Sequence, residues 1–155
     1  MSQSPEERIK ELGHSLPTPP KAVGSYIPAT QFGNIIVTSG QLPFIGSELM
    51  FKGKIGGQLH EDDGANAASL CLMNAIAQIK AIIGDLSKVK KIIRLEGYVH
   101  SAPGFDRQPQ VLNAASQLLT DIFGDKGQHT RVALGISEMP LNAAVQISLW
   151  VEISS

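Results

Sequence analysis

Apolar residues recur at helical spacing in two stretches of the sequence, and these stretches predict the two main helices. In residues 61–83 the apolar positions on one face are Ala68, Leu72, Ala75, Ile76, Ile79 and Ile83. In residues 108–123 they are Val111, Ala115, Leu118, Leu119 and Ile122. A glycine follows each stretch, at Gly84 and at Gly124, where it favours the end of a helix.

Alternation of apolar and polar residues predicts the strands, most clearly near the end of the chain. Between residues 144 and 153, Val145, Ile147, Leu149, Val151 and Ile153 alternate with Gln146, Ser148, Trp150 and Glu152. Further strands are predicted on both sides of Gly33-Asn34, from Ile92 to His100 and from Arg131 to Ser137. The stretch from Gly40 to Gly57 has five glycines and a proline, which predicts a loop with room for a hairpin.

A short helix and a proline-rich connector precede this pattern. Ser4 is a candidate N-cap, Pro5 suits the first helical position, Glu7 suits a capping box, and Gly13 ends the helix. The core order is then β-β-α-β-α-β-β, which predicts an α+β fold with two helices on one face of a mixed sheet. We expect a single domain over residues 1–155, with the helix and connector in 1–20 and the core in 21–155.

The alternation also predicts what each face of the sheet carries. We assign Arg94, Glu96, Tyr98 and His100 to the helix-free face, together with Arg131, Ala133, Gly135 and Ser137. The opposite residues, expected to pack on the helices, are Ile93, Leu95, Val99, Val132, Leu134 and Ile136. A helix-free face with charges, small residues and Trp150 favours partial burial against another subunit, so we predict an oligomer.

Composition narrows the classes of function. Hydrophobic residues make up 43% of the 155 residues, and the formal net charge of -1 disfavours a nucleic-acid surface. The one cysteine, Cys71, excludes an internal disulfide, suits a reducing cytoplasm and is expected to be an inert core thiol. We expect no signal peptide and no window approaching the ~18 apolar residues of a membrane span. The sequence is therefore interpreted as cytoplasmic and soluble.

The common catalytic and metal motifs are missing from the sequence. It contains no Gly-Lys-Ser/Thr phosphate loop and no Gly-x-Ser-x-Gly motif, and its four histidines lack paired metal spacing. His100 and His129 are expected to be surface residues. We therefore predict neither a metal nor a cofactor.

An ordered set of motifs nevertheless resembles a known family. The set comprises Val23-Gly24-Ser25-Tyr26, Thr38-Ser39-Gly40-Gln41, Asn113, Arg131, and Met139-Pro140. The proline follows the arginine by nine residues. It resembles the Rid family, also called YjgF-type proteins, over about residues 20–153. The N-terminal helix and the loop at residues 101–105 suggest a longer subgroup, distinct from the short enamine deaminase branch.

The resemblance implies a cofactor-free homotrimer with a chorismate-mutase-like fold and pockets between subunits. Its better-known members hydrolyse small reactive enamines and imines to 2-keto acids and ammonia. By the same resemblance Arg131 would hold the substrate carboxylate, since a planar guanidinium binds it through two parallel hydrogen bonds. The Gly40 amide would add a donor, Tyr26, Ser39 and Asn113 would line the pocket, and Ala133 occupies a cysteine position of the short branch.

One departure leaves the function open. The short branch has a glutamate six residues after the proline, where this chain has Gln146, which is not a base at neutral pH. Glu138 is then a candidate acid, beside Tyr26 and Ser39 as catalytic candidates. The alternatives are a trimer that binds small carboxylates or a protein client without turnover and, less favoured by the charge, an endoribonuclease.

Each candidate residue also has a purely structural interpretation. Arg131 could pair with Glu96 or Glu152, and Tyr26 could be a packing anchor. Ser39 could satisfy backbone groups at the strand end, and Asn113 could clamp a neighbouring loop.

Overall fold

The computed structural model describes residues 3–155, which contain a five-stranded mixed sheet with helices on one face and a small separate hairpin. The helices are α1 (Pro5–Glu11), α2 (Glu61–Ile83) and α3 (Gln108–Phe123). The strands are β1 (Ala29–Phe32), β2 (Ile35–Thr38), β3 (Phe44–Ile45), β4 (Glu48–Leu49), β5 (Val89–His100), β6 (Thr130–Ile136) and β7 (Val145–Ile153). The predicted α+β fold is confirmed.

The five-stranded sheet has the order β1-β2-β7-β5-β6, and β3 and β4 form a separate hairpin. Only β5 and β6 run parallel, because α3 connects them as a crossover; the other neighbours in the sheet are antiparallel. Helix α2 packs on β2 and β7, and α3 packs on β5 and β6. Strand β6 is therefore an edge strand that lies beneath α3.

Both main helices have the predicted bounds, since their apolar faces are continuous and a glycine ends each. The expectation that no window is apolar enough for a membrane span is wrong for helix α2. An 18-residue window of this helix has a mean hydropathy of 1.3, which is apolar enough for such a span. That window is 67% buried inside the protein. Burial of this extent is typical of the core helix of a soluble protein, since the sheet and α3 already cover its apolar face.

The face assignment of β6 is wrong. In the parallel register Arg131 lies beside Leu95, and Ala133 lies beside Gly97, both of which face the helices. The row containing Arg131, Ala133 and Gly135 therefore faces α3. Small residues suit this row because a Cβ on Gly135 would lie 2.5 Å from Nε2 of Gln108 in α3.

The opposite row of β6 forms part of the helix-free face. Its residues are Val132, Leu134 and Ile136, which lie beside Glu96, Tyr98 and His100 of β5. Leu134 is 55% exposed. On the same face Trp150 contacts Phe32 edge-to-face at 6.4 Å and donates a hydrogen bond from Nε1 to Glu96 at 2.7 Å.

Two further expectations for β5 are also corrected. A register shift between Ile92 and Arg94 places Ile92, and not Ile93, in the core. His100, expected on the surface, is 1% exposed. It is buried because the loop at Ile55, whose amide binds the His100 carbonyl at 2.7 Å, lies against the end of β5.

Helix α1 starts as predicted, with Ser4 and Glu7 in a complete capping box. It ends at Glu11, two residues before Gly13. The Arg8 Nε donates to the Asp121 carbonyl at 3.1 Å, which holds α1 against the end of α3.

Candidate functional site

The Arg131 side chain lies at the edge of the sheet and reaches over α3. Its Nη1 donates to Oδ1 of Asn113 at 2.9 Å and to Oγ of Ser116 at 3.2 Å. Within residues 3–155, Nε and Nη2 make no hydrogen bond, and no carboxylate lies within salt-bridge distance of the guanidinium. The alternative pairing with Glu96 is wrong, since Glu96 lies on the other face and binds Trp150.

The guanidinium opens into a groove of ≈ 550 Å³ along α3 and the start of β6. This guanidinium groove is lined by Asn113, Ser116, Gln117, Thr120, Gln128, His129 and Arg131. Its lining consists of amides, hydroxyls, an imidazole and one permanent positive charge, without a carboxylate. Such a lining favours a small anion, because the guanidinium is not neutralised by the residues around it.

Asn113 holds the arginine and does not clamp a loop. It lies on the exposed side of α3, and its Oδ1 accepts from the guanidinium. Ala133 follows Arg131 on the same row of β6, where it is half-buried and packs against the core.

Ser116 and His129 are functional candidates that the sequence interpretation missed. Ser116 Oγ lies 2.9 Å from His129 Nε2, and His129 Nδ1 lies 2.6 Å from the Gly127 carbonyl. For Ser116 a signal was available, because it follows Asn113 by three residues on the predicted helix. His129 lies just before the strand that begins at Thr130, so the alternation of strand residues gave no signal for it. The expectation that His129 is a surface residue is corrected, since it is half-buried and hydrogen-bonded.

A second set of candidates surrounds a cavity of ≈ 130 Å³ at the other end of the sheet. This amide cavity is lined by Pro20, Lys21, Ala22, Val23, Tyr26, Pro28, Gly40, Gln41, Leu42, Phe44, Pro140 and Gln146. The Gln146 side chain lies over Gly40, where a Cβ would collide with it. The Gly40 amide makes no hydrogen bond among the described residues, so it is free to donate.

The remaining candidates of the amide cavity have structural contacts of their own. Ser39 Oγ donates to the Ile27 carbonyl at 2.7 Å, which supports the structural interpretation of this hydroxyl. The Tyr26 side chain is 49% exposed, and its hydroxyl accepts from the Val23 amide at 3.4 Å. The exposure of Tyr26 argues against a packing anchor within one chain.

Glu138 lies among the lining residues of neither the guanidinium groove nor the amide cavity. Its carboxylate pairs with Lys54 at 3.6 Å and lies 3.9 Å from Nε2 of His100. The Glu138 side chain is 84% exposed, so this pairing is weak.

The two sets of candidates lie on opposite faces of the sheet. Arg131 and Asn113 are on the helix-bearing side. Gln146, which pairs with Tyr98, is on the helix-free face, next to Gly40. One small ligand therefore cannot touch both sets within one chain.

Comparison with known proteins establishes the family. Residues 6–153 match the family described as "YjgF/chorismate mutase-like, putative endoribonuclease". The chain belongs to this YjgF/chorismate-mutase-like family. It is also 33% identical over 148 residues to Protein TCP17 of Trypanosoma cruzi, a match that covers 95% of this chain and 92% of that protein.

Two solved structures are similar over nearly the whole chain. One, described as a putative endoribonuclease from Shewanella oneidensis MR-1, is 36% identical with a TM-score of 0.94 and covers 97% of this chain and 100% of that chain. The other, Atu1372 of unknown function from Agrobacterium tumefaciens, is 41% identical with a TM-score of 0.90. The match covers 97% of this chain and 92% of that chain. The resemblance to the YjgF-type family is thus confirmed, while the longer subgroup stays a prediction.

Proposed function

We propose that this YjgF-family chain is a cofactor-free hydrolase of small 2-imino and 2-enamino acids. The observation that carries the proposal is the free Nε–Nη2 side of Arg131 in a groove without a carboxylate. A planar guanidinium presents these two donors side by side, so they match the two oxygens of a substrate carboxylate. Asn113 and Ser116 occupy Nη1, which leaves the carboxylate one preferred orientation.

The substrate pocket is proposed to lie between subunits of a homotrimer. The guanidinium groove and the amide cavity are on opposite faces, so a neighbouring chain has to bring the second set to the first. Exposed apolar side chains on the helix-free face support such an interface, with Phe32 at 53% and Leu134 at 55% exposure.

In this pocket the amide cavity would act on the reacting end of the substrate. The free Gly40 amide would donate to oxygen as it develops charge, and Gln146 would orient the attacking water. The reaction converts an imino acid and water to a keto acid and ammonia, with water adding to C2 and the C–N bond breaking. The proposed compartment is the cytoplasm, where the buried Cys71 thiol would stay reduced.

The test is keto-acid release from the imine that an amino-acid oxidase generates, measured with and without the purified protein. The wild-type protein should accelerate release, and Arg131→Ala should lose most of the acceleration. Arg107→Ala is the matched control, because it removes an exposed arginine whose ion pair, among the described residues, is with Glu61. A wild-type protein that gives no acceleration would refute the proposal.

Binding without turnover is the second candidate, and Gln146 at the glutamate position favours it. In that case calorimetry with 2-ketobutyrate, pyruvate or benzoate would detect binding that Arg131→Ala abolishes, while the imine assay stays at the background rate. Equal binding by wild type and Arg131→Ala would dismiss the arginine site in both candidates.

RNA cleavage is suggested by the descriptions of the family and of relatives such as the Shewanella protein, and not by the geometry of the site. The guanidinium groove offers one permanent positive charge, which attracts a phosphate chain weakly. Cleavage that survives nuclease-free purification and disappears in Arg131→Ala would reverse this preference.

A further inference from the structure

Ser116 and His129 form a hydrogen-bonded pair that ends on the same guanidinium. Arg131 Nη1 lies 3.2 Å from Ser116 Oγ, which lies 2.9 Å from His129 Nε2. The His129 Nδ1 lies 2.6 Å from the Gly127 carbonyl. Four groups are therefore linked in one hydrogen-bonded network: Arg131, Ser116, His129 and the Gly127 carbonyl. The three side chains of this network line the guanidinium groove.

When the imidazole is neutral, the donors and acceptors of this hydrogen-bonded network have one consistent assignment. A carbonyl oxygen only accepts, so Nδ1 of His129 carries the proton and Nε2 is an acceptor. The guanidinium only donates, so Ser116 Oγ accepts from Nη1 and gives its own proton to Nε2. The serine hydroxyl is thereby aligned to pass a proton to the imidazole.

The arrangement matches the logic of an activated hydroxyl. A hydroxyl within hydrogen-bond reach of a base, with the base oriented by a third group, is the recurring geometry of proton transfer at a serine. Here the third group is the Gly127 carbonyl, which fixes both the ring orientation and the tautomer. Gln146 cannot supply a base, so a base beside Arg131 fills the gap.

We infer that Ser116 and His129 are the proton-transfer pair of the Arg131 site. This inference rests on the proposed imine hydrolysis. Ser116 binds Nη1, so a substrate carboxylate on Nε and Nη2 of Arg131 has its C2 across the guanidinium from the serine, and a second water in the groove joins the two. The attacking water gives a proton to this relay water, which passes a proton to Ser116 Oγ as the serine proton moves to His129 Nε2. The C2–O bond forms, and the imine nitrogen takes a proton back through Ser116 and the relay water.

The second half of the reaction uses the same pair in the same way. The new hydroxyl on C2 loses its proton to Ser116 through the relay water, and His129 again receives the serine proton. The pair returns this proton to the amino nitrogen as the C–N bond breaks. Ammonia leaves and the C2 carbonyl forms, so the imino acid and one water are converted to one keto acid and one ammonia.

The test compares His129→Asn with Ser116→Ala in the imine assay. Asparagine at 129 keeps a donor for the Gly127 carbonyl but removes the Nε2 acceptor, so the fold of the turn is retained. We expect kcat to fall by about 100-fold in each variant, since positioned acid–base groups contribute roughly 10²–10⁴-fold. KM and the affinity for 2-ketobutyrate should stay within about threefold, because Asn113 still holds the guanidinium. His14→Asn is the control, as His14 is exposed.

A spectroscopic measurement tests the pair without any turnover. Nitrogen NMR of the imidazole should show the Nδ1–H tautomer of His129 in the wild-type protein. The Nε2–H tautomer would overturn the inference, because Nε2 could not then accept the serine proton.

The kinetic outcomes separate the two proposals. A wild-type protein that accelerates the reaction, with His129→Asn within threefold of it, overturns the proton-transfer role alone. A fall in kcat that is matched by an equal loss of 2-ketobutyrate affinity assigns the pair a structural role and also overturns it. If the wild-type protein gives no acceleration, the proposed hydrolysis fails and the proton-transfer role fails with it.

Discussion

Among residues 3–155, the Arg131 guanidinium is held through one nitrogen. Asn113 and Ser116 share Nη1, while Nε and Nη2 have no partner in that part of the chain. A preoriented guanidinium loses little side-chain freedom when it binds a carboxylate, so its geometry matters as much as its charge.

Arg131→Lys therefore tests geometry against charge. Lysine keeps the positive charge but cannot bind Asn113 and a carboxylate with parallel donors. We expect the affinity for 2-ketobutyrate to fall by about 10-fold in Arg131→Lys and by up to about 100-fold in Arg131→Ala, as charged hydrogen bonds contribute roughly 1.5–3 kcal/mol. Calorimetry measures both, and a lysine variant that binds like wild type would show that charge alone suffices.

The Cys71 thiol gives stability a dependence on alkaline pH. Burial raises the pKa of Cys71 well above its ordinary value, whereas the unfolded thiol ionises near ~8.5. The stability from this group is complete below the unfolded pKa and is lost as pH rises towards the folded pKa. Relative to Cys71→Ala, the free energy of unfolding of wild type should fall by up to about 1.4 kcal/mol per pH unit in that window. Urea unfolding of both proteins at several pH values measures the difference between their free energies of unfolding. If the pKa of the buried thiol were not raised, this difference would stay constant with pH.

At the scale of elements, the turn between α3 and β6 positions the candidate proton-transfer pair. Residues 124–127 form a single 3-10 turn, and its last residue, Gly127, supplies the carbonyl that binds His129. A Cβ on Gly127 would lie 2.8 Å from the carbonyl carbon of Leu119 in α3, where only backbone surrounds it. The turn can therefore pack against the end of α3 only with glycine at this position.

Gly127→Ala should destabilise the protein because rigid backbone of α3 cannot move aside for a methyl group. We expect the free energy of unfolding to fall by about 1–3 kcal/mol, as is typical of overpacking. Gly57→Ala is the matched control, since a Cβ there meets its nearest neighbours at 3.4 Å. Denaturant unfolding compares the two, and equal losses would mean that the turn tolerates the methyl group.

The pattern of the sequence predicts the elements better than their faces. The bounds of α2 and α3 follow from local periodicity and from Gly84 and Gly124, all of which are short-range signals. The face of β6 cannot be predicted from short-range signals. Both of its rows contain apolar residues, and alternation does not say which row points to the core. The parallel register with β5 decides the face, and that register is a long-range property.

The candidate site was predictable in its residue types but not in its grouping. Sequence motifs identify Arg131, Asn113 and Gly40, while only the packing of α3 on β6 brings Ser116 and His129 to the guanidinium. Proximity of this kind depends on where a helix crosses a strand.

At the scale of the whole molecule, the two candidate sets on opposite faces make a defined prediction about mixed assemblies. Arg131→Ala disables the guanidinium groove and Gly40→Leu fills the amide cavity, so each variant alone should be inactive. If each pocket takes Arg131 from one chain and Gly40 from its neighbour, random mixing should restore about a quarter of the pockets. The imine assay on subunits mixed after mild unfolding measures this recovery. Two inactive variants that stay inactive when mixed, although light scattering shows mixed trimers, would contradict shared pockets.

Trp150 is the one tryptophan of the chain, and it lies on the face proposed for assembly, against Phe32 and Glu96. Its fluorescence is therefore a built-in optical reporter of subunit association. Dilution of the protein below the dissociation constant of the assembly should move the emission maximum to longer wavelength, because water then reaches the indole ring. A spectrum independent of protein concentration, in a sample that ultracentrifugation shows to dissociate, would place Trp150 outside the contact.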